Sequence, residues 1–224
     1  MIRTKSRDSF VDLLWVLAIL IPWMWLLRAL PLSFMETVYG FILSMSVPIW
    51  RLRVRGLTWK DVGVVRPESL QSLANATVAI FVLTLVLSAL ASLSLQSLGY
   101  EPDPRAVNRF EGIEGNLPYF LFVLMVVWVA SFSEEFIFRG LLLQWFERVL
   151  GGTNFSLVLA VLLQAGLSVY LHYDSHGMLG AYAAGGRALA LGIGFVAFKR
   201  NLWPVVLVHA ALNTVSYTEI FLDG

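Results

Sequence analysis

The feature that most constrains this chain is a series of long apolar runs with almost no charge inside them. One uncharged example, "LPYFLFVLMVVWVASFS", covers residues 117–133. About 20 such residues cross roughly 30 Å of hydrocarbon as a helix. Inside lipid each backbone N–H and C=O must be satisfied within the protein, which favours helices. Seven runs meet the length requirement: 10–28, 31–50, 71–98, 117–149, 154–173, 177–198 and 202–221. The second is the weakest, because Glu36 interrupts it and Pro31 and Pro48 bracket it, so a re-entrant or interfacial path is open to it. The expected fold is all-α, a polytopic transmembrane bundle of about seven spans, six to eight. Residues 1–116 would hold the N-terminal helices and a basic loop. Residues 117–224 would hold a catalytic-type core, the two parts forming one membrane domain.

Composition agrees. Of 224 residues 58% are hydrophobic and 14% charged, against about 45–50% and about 25% in soluble domains. The net charge of +1 gives no reason to expect a nucleic-acid partner. Cysteine is absent, which excludes disulfides, a cysteine nucleophile and cysteine-based metal sites. Trp50, Trp59, Trp145 and Trp203 stand near run ends, where interfacial rings often lie.

Arg3, Lys5 and Arg7 precede the first run, which continues past signal-peptide length without a small-residue cleavage site; it reads as a first transmembrane helix. The loop "RLRVRGLTWKDVGVVR", 51–66, carries Arg51, Arg53, Arg55, Lys60 and Arg66 against one acid. By the positive-inside rule it is cytoplasmic. The basic N-terminus and Lys199–Arg200 fall on the same side over seven spans, and the more acidic loop 101–114 falls outside. The basic loop reads as an ordinary loop or as an amphipathic piece on the membrane surface.

Ionisable residues inside a membrane are costly and mark functional sites by default. Here they are Glu134, Glu135 and Arg139 in the fourth run, His172 in the fifth, Arg187 in the sixth, and His209 with the polar Asn213 in the seventh. Glu135 and Arg139, spaced i,i+4, can pair on one helix face. Glu134 lies about 100° round the helix from Glu135, which leaves it facing elsewhere. His209 and Asn213 are again i,i+4. Counting about 1.5 Å per residue from the cytoplasmic helix ends, Glu134 lies about 22 Å deep, His172 about 27 Å and His209 about 10 Å. The first two depths agree. His209 needs a tilted or deeper-starting helix, which Pro204 would permit. Arg187 reads as structural, with Asp174 or a glutamate as partner, and His176 as a loop residue.

Such a cluster suits water activation. Carboxylate and neutral imidazole can ligate Zn²⁺, which acidifies bound water. Alternatively a glutamate acts alone as general base, with a histidine–asparagine pair donating to an oxyanion. Both schemes hydrolyse amides and both need a wet cavity. The small residues of "GMLGAYAAGG" and "ALGIG" suit close helix packing around one. The spacing contains no HExxH.

In order, "EEFIFR", "LSVYLH" and "HAALN" resemble the EExxxR, FxxxH and HxxxN motifs of the CPBP family, also called Abi or CAAX-protease-like, which is similar to the Ras-converting CAAX endopeptidase. Glu134, Glu135 and Arg139 match the first motif, and His209 and Asn213 the third. In the second, His172 is present but Ser168 stands where the family has Phe. The resemblance covers about 117–217. It implies an intramembrane endopeptidase acting on membrane-associated or lipid-modified proteins in a prokaryotic cytoplasmic membrane, with a cytoplasmic N-terminus. It makes Glu134 the base with His172 beside it, supported by Glu135 and Arg139, and His209 and Asn213 the oxyanion donors. In the metal-dependent version, Glu134, His172 and His209 would hold zinc. Two other classes compete: a non-catalytic immunity or scaffold protein of the same fold, and a small proton-coupled carrier, for which no inverted repeat is found.

Overall fold

A computed structural model of the chain describes residues 6–29, 45–103 and 112–222. Among them every regular element is helical. The elements are α1 (Ser6–Ala29), α2 (described over 45–54), α3 (Leu70–Gln96), α4 (117–149), α5 (Asn154–Ala197) and α6 (Leu202–Leu222). Ser69, Asn116 and Thr153 cap α3, α4 and α5, each side-chain oxygen accepting a first-turn N–H, where Ser, Thr and Asn are favoured. Four helices, α3 to α6, are long and apolar enough to cross a membrane. These do not confirm a count of about seven, and most of the 31–50 run lies outside the described residues, as do residues 104–111 of the acidic loop.

Two irregularities shape the core. α5 is a hairpin. Gly177, at φ 64° and ψ −175°, breaks it, and beyond the break the chain returns antiparallel. Gln164 Nε2 donates to the Ala188 carbonyl at 2.9 Å, and Gly185 lies against Val169. Only glycine adopts that backbone without strain. The second irregularity is a π-helical stretch, Phe136–Leu143, inside α4 and directly after the two glutamates. All eight of its residues are buried. Such stretches are rare and frequently occur at functional sites.

The apolar core gathers around that stretch, with Phe136, Leu141 and Leu142 packed among Phe195, Leu202 and Val205. α6 runs antiparallel to α4, from His209 beside Glu135 to Phe120 stacked on Phe221 at 4.5 Å. α3 lies antiparallel to the second arm of α5. There the small residues permit close approach, and a Cβ on Gly186 would sit 2.5 Å from the Leu87 carbonyl oxygen. α3 buries a narrow stripe, Ala76, Ile80 and Thr84, and exposes Val78, Val82, Leu85 and Val86, the arrangement a lipid-facing helix requires.

The basic loop is exposed over much of its length but anchored in the core at its centre. Val62 and Gly63 are buried, Trp59 packs on Phe136 at 5.4 Å, and Gln144 Nε2 donates to the Asp61 carbonyl. Two of its five cations are committed: Arg51 and Arg55 both donate to the buried Asp12 of α1. Trp145, expected at an interface, is fully buried in the core.

Candidate active site

The polar residues of α4, α5 and α6 converge. Glu135 is fully buried and its Oε1 accepts from Arg139 Nη1 at 2.9 Å and from His209 Nδ1 at 2.8 Å. Arg139 also donates, through Nη2, to the Ala188 carbonyl at 3.0 Å. That carbonyl accepts from Gln164 as well, so one backbone oxygen ties α4 to both arms of α5. The i,i+4 pair read from the sequence is present, and its work is to hold His209.

Because Glu135 is the acceptor, His209 carries its proton on Nδ1, and Nε2 presents a lone pair. Nε2 lies 3.8 Å from Glu134 Oε2, too far for a direct hydrogen bond and suited to a bridging water. Glu134 keeps 35% of its side-chain surface exposed, against 0% for Glu135. It lines a cavity of about 30 Å³ with His172, His209, Arg139, Arg187 and Ser168, room for about one or two waters. His172 Nδ1 donates to the Ser168 carbonyl at 2.8 Å, which fixes its tautomer in the same way. Ser168, in the place of the motif's Phe, is therefore cavity wall.

His209 reaches the glutamates because α6 starts deep. Its first residue, Leu202, donates its N–H to the Gly63 carbonyl. A Cβ on Gly140 would lie 2.9 Å from the Val62 oxygen and 3.5 Å from Leu202 Cδ1. Leu202 thus stands level with Gly140, nine residues inside Val149, or about 14 Å. The expected mismatch in depth disappears through the anchored loop.

Asn213 does not line the cavity. Its Nδ2 donates to Ser131 Oγ at 3.2 Å, and Ser131 in turn donates to the Val127 carbonyl. His176, read as a loop residue, is helical and stands one turn beyond His172, the two rings 5.2 Å apart, with its Nδ1 2.7 Å from Ser175 Oγ. Arg187 departs from its sequence reading. It lines the cavity, yet among the described residues no carboxylate oxygen lies within 4.0 Å of it and it donates no hydrogen bond. Its position in an apolar run flagged it; its lack of a partner is a tertiary fact that spacing does not encode.

Among the described residues no three His, Asp or Glu side chains stand close enough to hold one metal ion. Glu134, His172 and His209 share a wall without standing together as one ligand set, although each imidazole is hydrogen-bonded through Nδ1 alone. As folded, the set does not fit a three-ligand zinc site.

Residues 116–215 match the family described as Rce1-like, type II CAAX prenyl endopeptidase. The match spans 100 of the 224 residues, and over that segment the chain is similar to the CAAX protease family. The matched segment takes in α4, the α5 hairpin and α6 through Asn213, hence each residue of the cavity wall. The apolar helices α3 to α6 suit an integral membrane protein. No curated protein and no solved structure matches significantly.

Proposed function

We propose that the chain is an intramembrane endopeptidase that hydrolyses membrane-associated or lipid-modified proteins, with Glu134 as general base. The 3.8 Å gap between His209 Nε2 and Glu134 Oε2 carries the reading. A water placed there donates one proton to each, and its lone pairs remain free to attack a carbonyl. In the first step the water oxygen bonds to the scissile carbon, its proton passes to Glu134, and the carbonyl π electrons move to oxygen. In the second the tetrahedral intermediate collapses, the C–N bond breaks, and Glu134 returns the proton to the departing amine. Glu135 and Arg139 are positioning residues, because they fix the tautomer and the ring plane of His209. No step passes through a metal.

The test is Glu134→Gln in lipid nanodiscs, assayed on a quenched S-farnesylated C-a-a-X peptide. Membrane peptides of cells carrying wild type or the variant are compared alongside. Loss of cleavage with the fold retained supports the base. Full cleavage by the variant removes Glu134 from that role, and identical peptide profiles favour the scaffold reading.

A further inference from the structure

The scheme above leaves the oxyanion without a donor. His209 donates its one N–H, on Nδ1, to Glu135, and Asn213 is held on Ser131 outside the cavity wall. Arg139 lines the cavity but divides its two terminal nitrogens between Glu135 and the Ala188 carbonyl. One cation of the wall is uncommitted. Arg187, midway along the second arm of α5, lines the same small cavity as Glu134, which has room for about one or two waters. It feels the charges of Glu134 and Glu135, but neither comes within ion-pair reach. Leaving a cation and a base near each other but unpaired in a confined cavity is costly. An ion pair would have quenched both groups.

Resting on the reading of Glu134 as base, we propose that Arg187 is a further catalytic residue, the donor that stabilises the oxyanion of the tetrahedral intermediate. As the carbonyl electrons move to oxygen, negative charge develops in the cavity whose wall Arg187 shares. Two of its N–H groups can then donate to that oxygen, with charge–charge attraction strengthened in a confined site. The contact is weak with the neutral carbonyl and strong with the oxyanion, so it acts on turnover more than on substrate binding.

Two measurements test this. In nanodiscs, with the peptide shown to be cleaved in a Glu134-dependent way, Arg187→Gln should lower kcat by about 100- to 1000-fold. KM should stay within roughly threefold of wild type, and Arg187→Lys should recover part of the loss. A purely structural role would reduce the folded fraction and leave kcat per folded molecule unchanged, and that result overturns the proposal. The second measurement needs no substrate. Glu134→Gln removes the charge facing Arg187, so this variant should broaden the ¹³C signal of added formate, and Glu134→Gln with Arg187→Gln should not. Equal broadening in both, or none in either, overturns the assignment of Arg187 as the anion-receptive group. If instead Glu134→Gln cleaves at full rate while formate binding still depends on Arg187, the base assignment fails and the anion site stands.

Discussion

Gly63→Ala tests the idea that a loop anchored in the core sets the depth of His209. Gly63 has φ +95°, a region that costs a residue with a Cβ about 1–2 kcal/mol. The new Cβ would also lie 2.5 Å from the Arg200 carbonyl oxygen and 2.9 Å from Phe195 Cε2. The first neighbour is backbone and cannot rotate away, so overpacking adds about 1–3 kcal/mol. The expected loss is about 2–5 kcal/mol, a large share of a typical stability of about 5–15 kcal/mol. The strain falls on the Gly63 carbonyl that accepts from Leu202, so the start of α6 must move. A 1 Å shift takes the 2.8 Å contact between His209 and Glu135 out of hydrogen-bond range and costs about 100-fold in rate. Gly56→Ala is the control: φ is +62° and a Cβ there meets nothing within 4 Å, so it carries the backbone term alone, about 1–2 kcal/mol. Stability is read from loss of helical circular dichroism in mixed micelles under denaturant, and cleavage per folded molecule on the quenched peptide. Equal stability losses in the two variants, with cleavage unimpaired in Gly63→Ala, would refute the argument.

Three further outcomes are expected. Arg139→Met leaves the buried Glu135 without its cation and should destabilise the fold by about 3–5 kcal/mol, measured by the same unfolding assay; unchanged stability would show that the pair is not holding the helices. Asn213→Ala removes one hydrogen bond to Ser131, so a stability loss near 1 kcal/mol is expected, with kcat reduced much less than by Arg187→Gln; a larger kcat loss than Arg187→Gln gives would return the oxyanion role to Asn213. Dialysis against chelators should leave the cleavage rate unchanged, because no step is assigned to a metal, and an activity lost on dialysis and restored by zinc would sink the metal-free scheme.

The site was legible in the sequence where helical spacing alone decides geometry. Glu135 and Arg139 at i,i+4 pair as the helix dictates, and His209 with Asn213 projects toward α4. The division of labour between adjacent glutamates, one locked and one facing a cavity, follows from their angular separation. Depth was not legible. Hydropathy locates where an apolar run begins, whereas the start of α6 is fixed by a hydrogen bond from Leu202 to Gly63, in a segment whose five cations read as an exposed loop. Two of those cations answer to Asp12, far away in sequence. For the same reason Trp145 was placed at an interface when it fills the core, and Arg187 was given a partner that tertiary packing keeps away. Local rules fixed which way side chains point along a helix; they carried no information about which helices start level with one another.

The turn at Gly177 bears on how the protein enters its membrane. The second arm of α5 carries Arg187 midway along its length, and an arginine at the centre of a lone helix costs about 2.5–3.5 kcal/mol on insertion scales. The first arm carries Gln164, which closes onto the Ala188 carbonyl only when the arms are side by side. Each arm therefore hides a polar liability that the other helps to shelter. Insertion as a preformed pair, hinged at Gly177, avoids exposing either to lipid. The residue that makes the hairpin possible thus helps Arg187 reach the interior of the bilayer.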